Sequence, residues 1–447
     1  FYGCSQLKSV IIPEGVKELP DEAFDACGSM ESVVLPQGIS KIGNSAFMSC
    51  SALKSINLPE SLTAIGARAF YECTALTKIE IPSGIQELPE SVFYNCSKLE
   101  SVNLPEGLRM IGDSAFSSCG ALQEAVLPEN LESLGSSAFR NCGALTEIII
   151  PSGIKTIPNS AFSGCGKLEN VSLPEGLETI GSSAFAYSSS LKSIALPESL
   201  KSLGSYAFQS SALEEIVIPG KISEIPYSCF NGCKSLKKAT LPESLENLRD
   251  YAFRYCSQLS AVYFYGPAPT VAYDALYNCA DNLILYYREG QTGWTSPTWN
   301  DYNTAKFVPE DDENLVRVEV PGGSLKVYLT TAEVIGYEGV PAEIEFPAEV
   351  NGVSITKIAD NLFNGCTSLE RIVISEGYQE IGANAFKGCT NLTKAELAGS
   401  IVTLGANAFR GCSGLTGIEL KKGLQTVGSG AFYGCSRLQS ITVPEGM

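Results

Sequence analysis

Phenylalanine recurs along this chain with a fixed step. Phe1, Phe24, Phe47, Phe70, Phe93, Phe116, Phe139, Phe162, Phe185 and Phe208 are each 23 residues apart. One step of 22 residues then reaches Phe230, and two more of 23 reach Phe253 and Leu276. A second series runs through Phe363, Phe386, Phe409 and Phe432 at the same spacing. Self-similarity with a period this short marks a chain that stacks one small unit on the next. A unit of that size cannot bury its own apolar side chains, so it must bury them against its copies.

The unit can be read position by position. Leu53, Ile56, Leu58, Leu62, Ile65, Ala69, Phe70 and Cys73 make eight inward positions in one repeat. Ile56-x-Leu58 alternates as a strand with one buried face does. Pro59 cannot donate to a ladder, so the strand should end there and the chain should turn. Leu62 and Ile65 then return to the core in a second short extended stretch. Gly66 is expected to supply a turn with dihedrals closed to other residues. The spacing of Ala69, Phe70 and Cys73 predicts one short helical or 3-10 turn.

The pattern AFxxCxxLxxIxLPxxLxxIG resembles the BspA-like class of leucine-rich repeats, over about residues 1–287 and 340–447. That resemblance implies a leucine-rich-repeat solenoid of short parallel strands with short 3-10 or helical turns, in two stacked arrays. It also implies a bacterial cell-surface or secreted protein engaged in adhesion, with no fixed set of binding residues to carry over.

Charge and composition narrow the function further. The net charge is −18, which repels phosphate backbones and anionic lipid and argues against nucleic acid as a partner. No apolar run is long enough to insert into a membrane, and no export signal is visible. Histidine is absent, which removes the commonest general base and metal ligand. The sequence therefore reads as a non-enzyme without cofactor or metal. A carboxylate-based glycan-active enzyme is the remote alternative.

Two irregularities organise the chain. The residue after the second core aliphatic is Gly at 43, 66, 112, 135, 181 and 204, but Pro at 20, 89, 158 and 226. A 69-residue block of three repeats has thus been copied, which suits either a recurring binding surface or a spacer holding another domain. Between Leu276 and Phe363 the register breaks. Leu283 to Tyr287 reads as the last strand of the first array. The acidic run Pro309 to Glu313 reads as a linker. Residues 325–329 and 332–336 read as a capping hairpin, and Ile344 to Phe346 as a strand. The expected division is a first array over 1–300 with an aromatic cap, a linker over 301–324, and a second array over 325–447. Phe1 and Met447 both fall mid-repeat, as in a window onto a longer protein.

Three features could carry chemistry. Cysteine follows the repeat Phe (or Leu276) by three residues in all but one case, the spacing of a small buried core position. Cys229, in the place of the Ala before Phe230, is the only thiol with a claim to special reactivity. The outward strand face is mixed: Ile11, Val34, Asn57, Glu80, Asn103, Val126 and Ile149 occupy its centre. Aromatic density peaks between Tyr251 and Tyr302, where Tyr251, Tyr255, Tyr263, Tyr265, Tyr273, Tyr277, Tyr286, Tyr287 and Tyr302 join both tryptophans. Tyrosine and tryptophan offer large area with a polar handle. Tyr263, Tyr265, Tyr287, Trp294 and Trp299 are accordingly the candidate contacts for a protein or glycan ligand.

Overall fold

The computed structural model describes residues 1–443, so the expectation for Met447 lies outside the described residues. The elements it assigns there are short β-strands, with no helix among the described residues. Contacts divide the chain into two compact units, Phe1–Leu259 with Pro269–Ala280 and Ser260–Ala268 with Asp281–Met447.

In the first unit the coils build two narrow parallel ladders, the first of them interrupted at every third coil, as at residues 54–57 and 192–195. Lys78–Glu80 buries Ile79 and exposes its flanks, as period-two alternation requires. It pairs in parallel with Ser101–Asn103, Ile79 opposite Val102, one repeat further on. Beyond the Pro turn, Glu87–Leu88 pairs likewise with Met110–Ile111. Between the ladders the repeat phenylalanines form a column. Neighbouring rings lie between 5.1 and 5.7 Å apart with planes within 14°. That is offset stacking, which the ring quadrupole favours over a face-to-face sandwich.

The expected helical turn is replaced by a different device. Ala69, Phe70 and Cys73 are fully buried as the spacing required. Yet the backbone turns left-handed on either side of the Phe, at Arg68 (φ 57) and Glu72 (φ 59). Alternate amides then donate along the stack: Arg68 N to Glu90 O at 3.0 Å, Phe70 N to Val92 O at 2.9 Å and Glu72 N to Tyr94 O at 2.8 Å. The amides between them close tight turns, Ala69 N to Gly66 O and Tyr71 N to Arg68 O, and Cys73 N to Phe70 O follows. A helix would direct every amide within the coil and leave none to join coils, so the left-handed residues complete a third ladder. Gly66 also works differently from expectation. Its φ is not left-handed; a Cβ there would lie 2.4 Å from Asn44 N and 2.5 Å from Gly43 C. The glycine is required because one coil's backbone passes over the next.

The cysteines form a column of buried donors. Cys119 Sγ donates to Phe93 O at 3.2 Å, and Cys50, Cys73, Cys142 and Cys165 each reach the Phe carbonyl one coil back in the same way. Burial pushes the Cys119 thiol up to about 12. Cys229 is also fully buried, and burial raises its thiol well above the ordinary range, opposite to the shift of a reactive thiol. Ser188 takes this slot in one coil, and its buried Oγ has no partner. Ser188→Cys should restore the thiol-to-carbonyl bond to Phe162 and stabilise by about 1 kcal/mol, read as a higher urea midpoint. An unchanged midpoint would mean that Ser188 is already satisfied, by a trapped water for instance.

In the second unit, Ile284–Arg288 is not the final parallel strand, because Tyr302–Phe307 pairs with it in parallel. The stretch 301–324, read as a linker, carries this strand and Leu315–Val320. The acidic run is tied down as well: Glu310 takes ion pairs from Arg317 and Lys326. Leu315–Val320, Gly323–Tyr328 and Glu333–Gly339 form an antiparallel meander, and the last of these pairs in parallel with Lys357–Ile358 to start the second array. Glu343–Phe346 opens that array's main ladder against Arg371–Ile374. Buried Asn361 fastens the segment, donating to Pro297 O at 3.0 Å and Thr304 O at 2.7 Å.

Candidate functional site

The five expected contact residues all lie in the second unit, where strand alternation sorts them into two packed clusters. Tyr263 stacks on Tyr286 at 4.7 Å and meets the edge of Phe307 at 5.2 Å. Tyr265 contacts Phe307 from the same face at 5.0 Å. On the opposite face Tyr287 stacks on Trp294 at 5.4 Å, and Trp299 adds to Trp294 at 4.6 Å. Trp294 Nε1 donates to Gly266 O at 3.2 Å. These rings therefore spend much of their area on one another.

Beside the first cluster lies a cleft of about 100 Å³, lined by Tyr263, Tyr286, Lys306, Lys326, Tyr337 and Asn361 among others. Small-molecule sites run to roughly 300–1,000 Å³, so this space suits no ligand of that size. Its cations are also engaged, Lys306 with Glu289 at 3.1 Å and Lys326 with Glu338 at 2.8 Å. Burial keeps the Tyr286 and Tyr337 phenols neutral by raising their pKa.

The first unit carries a different aromatic surface. The left-handed positions two residues before or after the repeat Phe mostly hold Ser, Asn or Gly, as at Ser114, Ser118, Asn95, Asn141 and Gly164. Towards the end of the unit they hold Tyr187 (φ 61), Tyr206 (φ 61), Tyr251 (φ 62) and Tyr255 (φ 60). A bulky side chain in that conformation costs about 1 kcal/mol or more relative to glycine. The core does not need these rings as cover, since Phe116 and Phe139 are fully buried in coils that carry only Ser or Asn at those positions. Tyr187, Tyr255, Tyr273 and Tyr277 instead stand 54, 42, 94 and 47% exposed. Edge contacts link Tyr206 to Tyr227 and Tyr227 to Tyr251, both at 5.3 Å.

Counting tyrosines along the sequence included Tyr251, Tyr255, Tyr273 and Tyr277 but weighted those nearest the tryptophans. Tyr187, Tyr206 and Tyr227 lie before that dense stretch. Position within the repeat was the signal that could have found them, because Tyr is out of place where other coils use Ser, Asn or Gly.

The outward strand face of the same unit is shallow and mixed. Ile11 and Val34 are register partners, 75 and 56% exposed. Val126 and Ile149 border a groove with Glu124, Glu129 and Glu147. Several cations of the unit are matched to a carboxylate one coil away, as Lys54–Glu31, Lys201–Glu178 and Lys237–Glu214 show. Such exposed pairs contribute little to stability.

Coils with a leucine-rich strand, a Pro-ended turn and a stacked Phe column define a leucine-rich-repeat solenoid. The chain belongs to the BspA-type leucine-rich-repeat family. The family model, described as a BspA type leucine rich repeat region (6 copies), matches residues 1–100, 40–169, 155–282 and 343–447. Among solved structures the chain is similar to a leucine-rich repeat protein from Bacteroides ovatus, at 24% identity over 97% of this chain and 86% of that one, TM-score 0.48. It is also similar to a leucine rich cell surface protein from Faecalibacterium prausnitzii, at 27% identity over 66% of this chain and 82% of that one, TM-score 0.43. The pneumococcal vaccine antigen PcpA shares 22% identity over 69% of this chain and 91% of its own, TM-score 0.45. No curated protein matches the chain. Among the described residues no helix is long and apolar enough to cross a membrane.

Proposed function

We propose that this is a non-enzymatic protein of the cell surface or extracellular space that binds a macromolecule of a host or neighbouring cell. In this reading the binding surface is the tyrosine-bearing turn face of the first unit. The observation that carries it is the placement of four tyrosines in left-handed backbone on an exposed face that needs no covering. Backbone strain kept at rings that the core does not need is the kind of feature that accompanies binding sites. Tyrosine supplies contact area at low entropy cost, which is why it dominates interface hot spots.

A variant carrying Tyr187→Ser, Tyr255→Asn and Tyr277→Asn tests the reading with residues the repeat itself uses. It should melt at the same temperature or slightly higher, because Ser and Asn tolerate left-handed φ better than Tyr. Its binding to cells, matrix proteins or a glycan array should fall at least about tenfold. Full binding by the folded variant would overturn the assignment. The copied 69-residue block favours a spacer as the second reading. If length alone matters, exchanging one such block for another would leave function intact.

A further inference from the structure

We infer that Arg254 and the tyrosines around it form a subsite for the carboxylate of an acidic sugar, a uronic or sialic acid carried on an otherwise neutral glycan. This rests on the reading of the tyrosine face as a binding surface, and it names the chemistry that the face recognises.

Arg254 follows Phe253 on the turn face. Its guanidinium carbon lies 4.6 Å from the Tyr251 ring centre, 4.7 Å from Tyr255 and 5.3 Å from Tyr277. Three rings thus hold a planar cation in place, and Tyr255 and Tyr277 meet edge to face at 6.1 Å. Arg68 on this face is matched to an acid one coil away, Glu90 at 3.2 Å. Arg140, at the same repeat position as Arg254, has no ion pair among the described residues and no ring beside it in the stack, its neighbours being Ser117 and Ser163. Arg254 likewise has no ion pair among the described residues, and its neighbours one coil either side in the stack are Asn231 and Tyr277. Among the described residues its one side-chain hydrogen bond runs from Nη2 to Tyr255 Oη at 3.2 Å, and its buried Nε has no partner. A guanidinium has five donors in a fork that fits a carboxylate in two-point contact. In this chain of net charge −18, a cation held by three rings, with a buried donor left over, is suited to receive a carboxylate.

The surrounding rings choose the rest of the ligand. Exposed tyrosine faces take the C–H face of a pyranose, while their hydroxyls bond sugar hydroxyls. The net charge excludes a dense polyanion, because each further sulfate or phosphate would meet the acidic surface. One carboxylate on a neutral glycan meets a single cation and several rings, which matches what is present.

The test uses the full chain and defined probes: sialyllactose against lactose, and a glucuronate disaccharide against its carboxyl-reduced form. Titration calorimetry should show at least one acidic probe binding about tenfold or more tighter than its neutral counterpart, as expected for a charge-assisted two-point contact. Which probe does so separates sialic from uronic acid. Arg254→Gln should erase that preference while leaving the melting temperature unchanged, and Arg254→Lys should restore it only in part, since an ammonium lacks the fork. Equal binding of acidic and neutral probes, preference surviving in Arg254→Gln, or no binding at millimolar probe would each overturn the inference. An acidic peptide that binds through Arg254 while neither sugar does would overturn it too. The parent reading fails separately: it falls if the tyrosine variant keeps macromolecular binding, and it stands if that binding depends on the tyrosines but not on Arg254.

Discussion

Phe139→Asp is expected to cut the first unit into two independently behaving stacks. The ring is fully buried and lies 5.3 Å from Phe116 and 5.7 Å from Phe162, so it has a stacked neighbour on each side. Deleting a buried Phe side chain costs about 3–5 kcal/mol, and a carboxyl placed among rings adds the cost of desolvation. A local loss above about 5 kcal/mol follows, among the largest a single substitution produces. In a stack each coil touches only its neighbours, so the damage should stay near the site. Hydrogen exchange should show lost protection in the coils of Phe116, Phe139 and Phe162 and retained protection near Phe24. Phe139→Leu is the control, expected to cost less than about 1.5 kcal/mol, since Leu276 fills the same slot in its own coil. Protection lost evenly over the whole unit would show that the array folds as one body and would defeat this expectation.

That the substitution can be chosen from a spacing alone shows how much of the fold is legible in the sequence. Apolar periodicity names the buried set, and Leu62, Ala69, Phe70 and Cys73 are all fully buried. Two features were not legible, for different reasons. The turn around Phe70 reads as helical because side-chain spacing reports which residues face inward, not where the amides point. The left-handed pair Arg68 and Glu72 is hidden because neither is Gly or Asn. The second array is plainer, with Asn361, Gly365, Asn384 and Gly388 at the matching positions. The stretch after Tyr287 was obscure for another reason. Tyr302–Phe307 follows turn residues and an acidic run lies beyond it, so composition outweighed a six-residue strand.

The candidate site was legible only as a density of aromatic residues. Density favoured the residues around Trp294, where the rings satisfy one another. The two groups of rings differ in backbone conformation and exposure. Tyr255 has a left-handed φ of 60 and stands 42% exposed, whereas Tyr287 sits in a strand and is 7% exposed. Only coordinates supply the second of those facts. The first could have been suspected by aligning the coils and asking where Tyr replaces Ser, Asn or Gly.

Aligning coils also exposes the second large effect, at the glycine that follows the second aliphatic. Gly135→Ala is expected to destabilise the first unit by about 3 kcal/mol, far beyond the usual effect of one added methyl group. A Cβ at Gly135 would lie 2.3 Å from Asp113 N and from Gly112 C, and 2.6 Å from Gly112 O. These are backbone atoms, so no side chain can swing aside. Relief requires the coils to part, and parting them stretches the Gly135 N to Ile111 O bond of 2.7 Å. Helix or strand propensity would favour Ala over Gly, so the sign of the result separates close approach from backbone entropy. Gly120→Ala is the paired control: nothing lies within 4 Å of its Cβ position and its φ is not left-handed. That variant should stay within about 0.5 kcal/mol of the parent in urea unfolding. Equal midpoints for the two variants would mean that the coils breathe enough to admit a methyl group, and the close backbone approach would then not explain why glycine recurs here.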